Sequence, residues 1–464
     1  MQEFDLIVIG GGSAGMKAAR TAARMGKQVA LAEERELGGE CFWAGCVPTK
    51  AMVRAAEVWY LVQNSGKFGI HAPVQRACFA EAMAYKDRAV REVGGAATES
   101  DEARLRKIGV KYFHSRATFC DPNVLQIGRN VVRGTKIIIA TGTIPHVPYV
   151  DGLEEAGYIT NREAVSLTEL PERLIVLGGG PIGLEFAQVF RRFGSEVTVV
   201  EVGSQILPKE DGQVAELVTG YLRDEGIRVL TNAEALLAAA NGGVKSLHVR
   251  VGEMEETLEA DEILVATGRA AAVGDLDLES AGVQYTQKAI EVDEFLRTSQ
   301  PHVLVAGDAS GGYLFTHVAS YEGRLAAENA FADDPTSYNP RVVPRATFVD
   351  PEVASIGYTP TAAIEAGIEI AVQTFSFSDM DRAILHGDAR GIVKLVLDAT
   401  TKEVIGGHIV GPQASSLIAE VAIAMKHHMN VSAIADTMHA YPSFPEAIEA
   451  AALSTPSYVG RVEE

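Results

Sequence analysis

The chain has 464 residues and a formal net charge of −20, too long for one hydrophobic core and too acidic to favour nucleic acid or an anionic membrane surface. Its hydrophobic fraction of 47% and charged fraction of 22% are those of a globular protein, not a disordered or fibrous one. No apolar run approaches the ~18 residues that span a bilayer. The strand-like run Phe4 to Ile9 begins too early to leave room for a signal peptide, so a cytoplasmic protein is expected.

In chain order, the first predicted elements recur later. FDLIVIGGGSAGMKAARTAARMGKQVALAEE reads as an apolar strand, a glycine turn, an Ala-rich helix and a second strand closing on Glu33. From Arg173, RLIVLGGGPIGLEFAQVFRRFGSEVTVVEV follows the same plan and closes on Glu201. Eighteen positions separate Gly15 from Glu33, and eighteen separate Gly183 from Glu201. These are two predicted βαβ dinucleotide-binding units. Gly10 or Gly178 makes the tight turn, Gly12 or Gly180 lets backbone approach a pyrophosphate, and Gly15 or Gly183 lets helix pack on strand. The helix N-terminus offers free N–H groups to the phosphates. Glu33 and Glu201 are placed to accept hydrogen bonds from a ribose. A carboxylate at 201 repels a 2′-phosphate, and Val202 to Gln205 include no Arg or Lys, so NAD(H) is expected over NADP(H).

After the first unit comes GGECFWAGCVPTK, Gly38 to Lys50, with Cys41 and Cys46. No further Cys or His clusters nearby, so redox chemistry is expected and no metal site. Cys78 and Cys120 lack any such context and read as packing residues. A disulfide needs its Cα atoms within ~7 Å, whereas five residues of helix rise ~7.5 Å. The backbone must therefore bend, or start a helix, inside the motif, and Gly45 and Pro48 permit that. A thiol beside a helix N-terminus has its thiolate favoured.

Three more strands follow: KIIIATG ending at Gly142, EILVATG ending at Gly268, and HVLVAGDAS running into Gly307 and Asp308. From about Arg341, strand-like pieces precede helix-like ones, which suggests a separate α+β domain.

The motifs GGGSAG, GGECFWAGCVPTK, ATG, GGGPIGLEFA, ATGR, VAGDA and FTHVASYEG stand in this order. Through them the chain resembles the flavoprotein pyridine nucleotide-disulfide oxidoreductases, most closely the dihydrolipoamide dehydrogenases. The resemblance implies an α/β fold with two Rossmann-like dinucleotide-binding domains plus a C-terminal α+β dimerisation domain. Its implied boundaries are 1–147 for the FAD domain, 148–268 for the NAD domain, 269–340 for a central region returning to the flavin, and 341–464 for the interface domain. One FAD per subunit would meet Gly10, Gly12, Ser13, Gly15, Glu33, Gly39, Lys50, Ala117, Thr141, Gly142 and Asp308, with Leu314, Phe315, Thr316 and His317 near the flavin. NAD(H), as cosubstrate, would meet Gly178, Gly180, Ile182, Gly183, Glu185, Glu201 and Gly268. Cys46 would be the flavin-side thiol and Cys41 the outer thiol that exchanges with substrate. Lys50 would pair with Glu185. A homodimer is implied, in which Tyr441 and Glu446 of one subunit face the disulfide of the other. The implied reaction is oxidation of a dithiol such as dihydrolipoamide, free or on a lipoyl protein, by NAD+.

One departure stands out. The family's C-terminal signature carries a His–Pro pair whose His is the acid/base, oriented by a Glu four residues on. Here the stretch is HAYPSFPE, with Tyr441 in place of that His and Glu446 retained. Tyr, with an ordinary pKa of ~10, is a poor general base near neutrality. His439 lies two residues earlier and is a second candidate for the role. Mercuric reductases and soluble transhydrogenases of this family also carry Tyr near this place. Two alternatives follow: a reductase of another acceptor, such as mercuric ion, a quinone or a small disulfide, and a complex subunit with a structural flavin.

Overall fold

Residues Gln2–Ile9 form a strand because their side chains find cover on both faces. Leu6 and Val8 join one core layer with Ala18, Leu31 and Ile138. Ile7 and Ile9 join the opposite layer with Phe119, Leu125 and Ile137. A run apolar on both faces is the mark of a covered parallel sheet. This computed structural model describes residues 1–71, 76–94 and 101–459. The chain divides into two units, one of residues 1–51, 83–147 and 268–339, the other of residues 52–82, 148–267 and 340–464.

The first unit holds a seven-stranded sheet. Lys111–His114, Val29–Glu33, Gln2–Ile9 and Asn130–Ile139 lie side by side and parallel. The strand Asn130–Ile139 carries two neighbours along its other edge. Its first part pairs with Val124–Ile127 in antiparallel fashion, and its last part pairs in parallel with Val303–Val305. Three strand ends thus come together: Gly10 N donates to Ala32 O at 2.8 Å, Ala140 N to Ile9 O at 2.8 Å and Ala306 N to Ile139 O at 3.0 Å. Gly10, Thr141 and Gly307 all leave the C-terminal ends of adjacent strands, where open α/β sheets take their ligands.

The second unit contains a four-stranded parallel sheet in the order Arg228–Leu230, Glu196–Val200, Arg173–Leu177, Glu262–Val265. An antiparallel sheet of Ala233–Asn241, Val244–Val251 and Met254–Ala260 follows it. A six-stranded antiparallel sheet from Arg345 to Val459 completes the unit, with helix Ala414–Lys426 buried against it through Leu417, Val421 and Met425. Short helices Pro360–Glu365 and Asp381–His386 interrupt its strands, so strands and helices are interleaved rather than segregated as expected. No helix among the described residues is long and apolar enough to cross a membrane.

Helices Ser13–Arg24 and Thr316–Asn329 of the first unit pack backbone to backbone at Gly323. A Cβ there would lie 2.2 Å from Ala14 O. Overpacking costs about 1–3 kcal/mol, and the ~1 kcal/mol helix-propensity gain of Ala offsets only part of it. Gly323→Ala is expected to lower the thermal midpoint by circular dichroism. A midpoint at or above that of wild type would show that the two helices separate freely.

Candidate active site

The two glycine motifs have the same local geometry. Gly10 has φ +104° and Gly178 φ +106°. A Cβ would lie 2.3 Å from Ala140 O at the first and 2.4 Å from Ala266 O at the second. Only glycine fits such a turn. The helices that follow, Ser13–Arg24 and Pro181–Phe193, start on Gly12 and Gly180 with no side-chain cap. Their first N–H groups and the positive end of each helix dipole face outward. Around Gly180 a Cβ would meet nothing within 4 Å, so a phosphate has open access to the backbone.

Each motif also uses its middle glycine. Glu33 Oε2 accepts from Gly11 N at 2.6 Å and Oε1 from Arg35 N at 2.7 Å. Glu201 Oε2 accepts from Gly179 N at 2.7 Å and Oε1 from Gly203 N at 2.7 Å. The two acids are anchored alike, and each carboxylate keeps lone pairs for a ribose hydroxyl. Gly11 and Gly179 are absent from the sequence expectations. Their signal was the middle glycine of each GGG.

The remaining expected flavin residues lie around the strand ends of the first unit. Thr141 Oγ1 is buried with no hydrogen-bond partner, and Gly142 follows it with φ +69°. Asp308 accepts from Thr143 Oγ1 at 3.2 Å. Burial pushes the Asp308 carboxyl above its ordinary value, against the pull of nearby Arg269. Arg269 in turn donates to Thr143 Oγ1 at 2.7 Å and lies 3.5 Å from Glu40 in the cysteine loop. Glu40, Thr143 and Arg269 were not foreseen, although Arg269 stands in the quoted ATGR. Gly39 has φ +65°, and a Cβ there would lie 2.7 Å from Gly12 Cα. The cysteine loop therefore touches the first glycine motif. Phe315 precedes helix Thr316–Asn329 and stacks on His317 with centroids 5.4 Å apart. Ala117 is buried at the start of strand Ala117–Asp121, paired with Ile127. An orphaned hydroxyl, a buried carboxyl and an uncapped helix start on one sheet edge fit a dinucleotide such as FAD.

The bend expected between the cysteines is present. Helix Gly39–Trp43 ends, and helix Cys46–Gln63 begins on Cys46 itself. Both cysteines are thiols, Cys41 half-buried and Cys46 exposed. Thr316 Oγ1 donates to Cys41 Sγ at 2.9 Å and lies 3.5 Å from Cys46 Sγ. A hydrogen bond with Cys46, and then burial, push the Cys41 thiol far up. Thr316, expected at the flavin, thus bridges the two sulfurs. Lys50 stands in the first unit, one turn beyond Cys46. Glu185 is buried in the second unit, where its Oε1 accepts from Phe348 N at 2.9 Å. Ile182 is partly exposed on that unit's nucleotide helix, and Gly268 falls in the first unit with φ +134°.

The C-terminal candidates separate. Tyr441 is 73% exposed, and its hydroxyl donates to Asp381 Oδ2 at 2.8 Å. Glu446 Oε2 accepts from Ser443 N at 2.6 Å, which ties it to the turn before its own helix. His439 turns elsewhere: its Nε2 lies 3.0 Å from Glu420 Oε1 and its Nδ1 3.1 Å from Glu449 Oε2. Burial works to lower the His439 pKa, but the hydrogen bond and charge of Glu420 hold it above its ordinary value. The imidazole is thus clamped between two carboxylates.

Comparison with known proteins matches residues 4–323 to the pyridine nucleotide-disulphide oxidoreductase family and residues 343–452 to its dimerisation domain. The chain belongs to this family. Dihydrolipoyl dehydrogenase of Chlorobaculum tepidum is 36% identical, over 99% of this chain and 98% of the relative. Mercuric reductase of Bacillus cereus is 32% identical, over 97% of this chain and 71% of the relative. The structure of the HOCl-induced flavoprotein disulfide reductase RclA from Escherichia coli superposes with a TM-score of 0.84 at 28% identity, covering 97% of this chain and 99% of that one. As a pyridine nucleotide-disulphide oxidoreductase, the protein is a flavoenzyme that uses FAD and a nicotinamide dinucleotide.

One buried acid of the first unit has a pH consequence. Glu322 Oε2 accepts from Gly307 N at 2.7 Å, and burial pushes its carboxyl up to about 7. The folded state then keeps this proton after the unfolded chain, near 4.5, has lost it. The contribution of Glu322 to stability is full below about 4.5 and is lost as pH rises to about 7. Glu322→Gln should therefore gain stability relative to wild type between these limits, seen as a widening gap in urea midpoints. A constant gap would show that Glu322 does not titrate there.

Proposed function

We propose that the protein is a homodimeric, dihydrolipoamide dehydrogenase-like enzyme that oxidises a dithiol with NAD+. The observation that carries this reading is the pair of thiols at the start of helix Cys46–Gln63, bridged by Thr316. In the oxidised enzyme the pair is the Cys41–Cys46 disulfide. A substrate thiolate attacks Cys41 Sγ, the Cys41–Cys46 bond breaks, and its electron pair stays on Cys46. The second substrate thiolate attacks the substrate sulfur of the mixed disulfide, and Cys41 leaves as a thiolate. The substrate departs oxidised, with two electrons left on the cysteine pair. FAD, when bound, supplies the two-electron relay from this pair to NAD+. The net change is dithiol plus NAD+ to disulfide, NADH and a proton.

The chain's own residues set where charge and protons rest. Cys46 at a helix start has its thiolate favoured. The hydrogen bond with Cys46 and burial push the Cys41 thiol up, so Cys41 regains a proton after the substrate leaves. Lys50 would add positive charge one turn on. In the dimer, Tyr441 and Glu446 would face Cys41 of the partner subunit. The hydrogen bond to Asp381 pushes the Tyr441 phenol above its ordinary value, so it is no base near neutral pH. The dithiol must supply its own thiolate.

A second reading, reduction of another acceptor such as mercuric ion, a quinone or a small disulfide, is favoured by Tyr441 and by the mercuric reductases among the relatives. Steady-state turnover decides between them. Dihydrolipoamide oxidation by NAD+ is expected to be slow at pH 7, to rise toward alkaline pH, and to vanish in Cys41→Ser and Cys46→Ser. Turnover confined to NADH with one of the other acceptors would overturn the first reading.

Cosubstrate choice gives an independent check. With Glu201 at the strand end, NADH is expected to reduce the enzyme at least tenfold more efficiently than NADPH, about 1.4 kcal/mol. Glu201→Gln should narrow the ratio in stopped-flow reduction. Equal efficiency for wild type would remove Glu201 as the selector.

A further inference from the structure

Tyr441 is held by a carboxylate from a distant part of the chain. Its hydroxyl donates to Asp381 Oδ2 at 2.8 Å, across a sequence separation of 60 residues. Asp381 opens the helix Asp381–His386, behind the turn Phe377–Asp379. Phe377 and Ala383 are buried in the core of the second unit, so this segment is a fixed mount. Glu446, the acid that the family pattern points to, instead accepts from the amide of Ser443 in the turn before its own helix. A cavity separates and joins these groups. It is lined by Asp379, Asp381, Tyr441, Glu446 and Glu449.

We propose that Asp381 is the positioning residue for Tyr441, fixing both where the phenol points and which way its proton faces. The proposal rests on the reading above, in which Tyr441 serves thiol–disulfide exchange in the dimer. A tyrosine hydroxyl has one proton and two lone pairs. With the proton given to Asp381, the oxygen offers only acceptor capacity to any other group. A substrate thiol approaching Cys41 of the partner subunit therefore meets a hydrogen-bond acceptor of fixed direction. Glu446 faces the same cavity, and its negative charge also favours the protonated phenol. Among the acids that line it, Asp381 is the one whose carboxylate accepts the Tyr441 hydrogen bond. Such a bond counts for little on an open surface and for more where a partner excludes water.

The experiment uses the flavin-loaded enzyme and the variants Asp381→Asn, Tyr441→Phe and their combination. Asn is nearly isosteric with Asp and stands on an exposed helix start, so the fold should be kept, as thermal melting can verify. Ultraviolet titration of the phenolate band, taken as the difference between each protein and its Tyr441→Phe counterpart, isolates Tyr441. Asp381→Asn is expected to lower its midpoint toward the ordinary ~10. An unmoved midpoint would overturn the link between the two residues, and this arm needs no substrate. In the kinetic arm, with dihydrolipoamide and NAD+, Asp381→Asn should lower kcat/KM about threefold to tenfold in wild type and leave the Tyr441→Phe enzyme unchanged, because coupled residues are not additive. An equal loss in both backgrounds would show that Asp381 acts without Tyr441, and would overturn the proposal. Absence of dihydrolipoamide turnover in wild type at every pH counts against the dithiol reading instead. In that event the titration alone judges Asp381.

Discussion

The backbone at Gly10 runs so close to the neighbouring strand that a Cβ would sit 2.3 Å from Ala140 O. Much of the first unit depends on that contact. It forces the chain to turn at once after Ile9, which aims the start of helix Ser13–Arg24 at the strand ends. It also brings Gly11 N within reach of Glu33, so the acid is oriented by the same turn. Gly178, Ala266, Gly179 and Glu201 repeat every part of this in the second unit. Two stretches of the chain arrive at one geometry because crowding between main chains leaves them no other.

That constraint explains why so much was legible in the sequence. A turn that only glycine can make is written as glycine, and its strand, helix and acid follow at fixed spacing. The break between Cys41 and Cys46 was legible for a similar reason: a regular helix would hold the two apart, so the backbone had to depart from it. The antiparallel sheet from Ala233 to Ala260 was not legible. Its strands are Ala-rich or carry scattered charges and lie half exposed, a pattern without a strong apolar period. The interleaving of short helices in the C-terminal part was missed because six-residue helices carry too few turns to show a period.

The site was legible in its glycines, acids and cysteines, and least so in its long-range pairs. The meeting of Thr316 with Cys41 joins residues 275 positions apart, and that of Arg269 with Thr143 joins residues 126 apart. Spacing in sequence carries no trace of such contacts. The C-terminal segment shows the limit most clearly. His439, Tyr441 and Glu446 stand within eight positions of each other in the sequence, yet each finds a different partner: Glu420 with Glu449, Asp381, and the amide of Ser443. Proximity along the chain does not tell which partner each side chain takes.

The strand Val303–Val305 has a further consequence, for synthesis rather than catalysis. It completes the parallel sheet against Ile137–Ile139, long after those residues leave the ribosome. At translation rates of roughly 5–20 residues per second, the interval is about ten to thirty seconds. Throughout it, the end of Asn130–Ile139 presents unpaired N–H and C=O groups on an apolar edge, a surface prone to mispairing. A nascent chain that stalls before residue 303 is therefore not a smaller flavoprotein but an open-edged fragment, and its safe passage depends on whatever shields that edge until the last strand arrives.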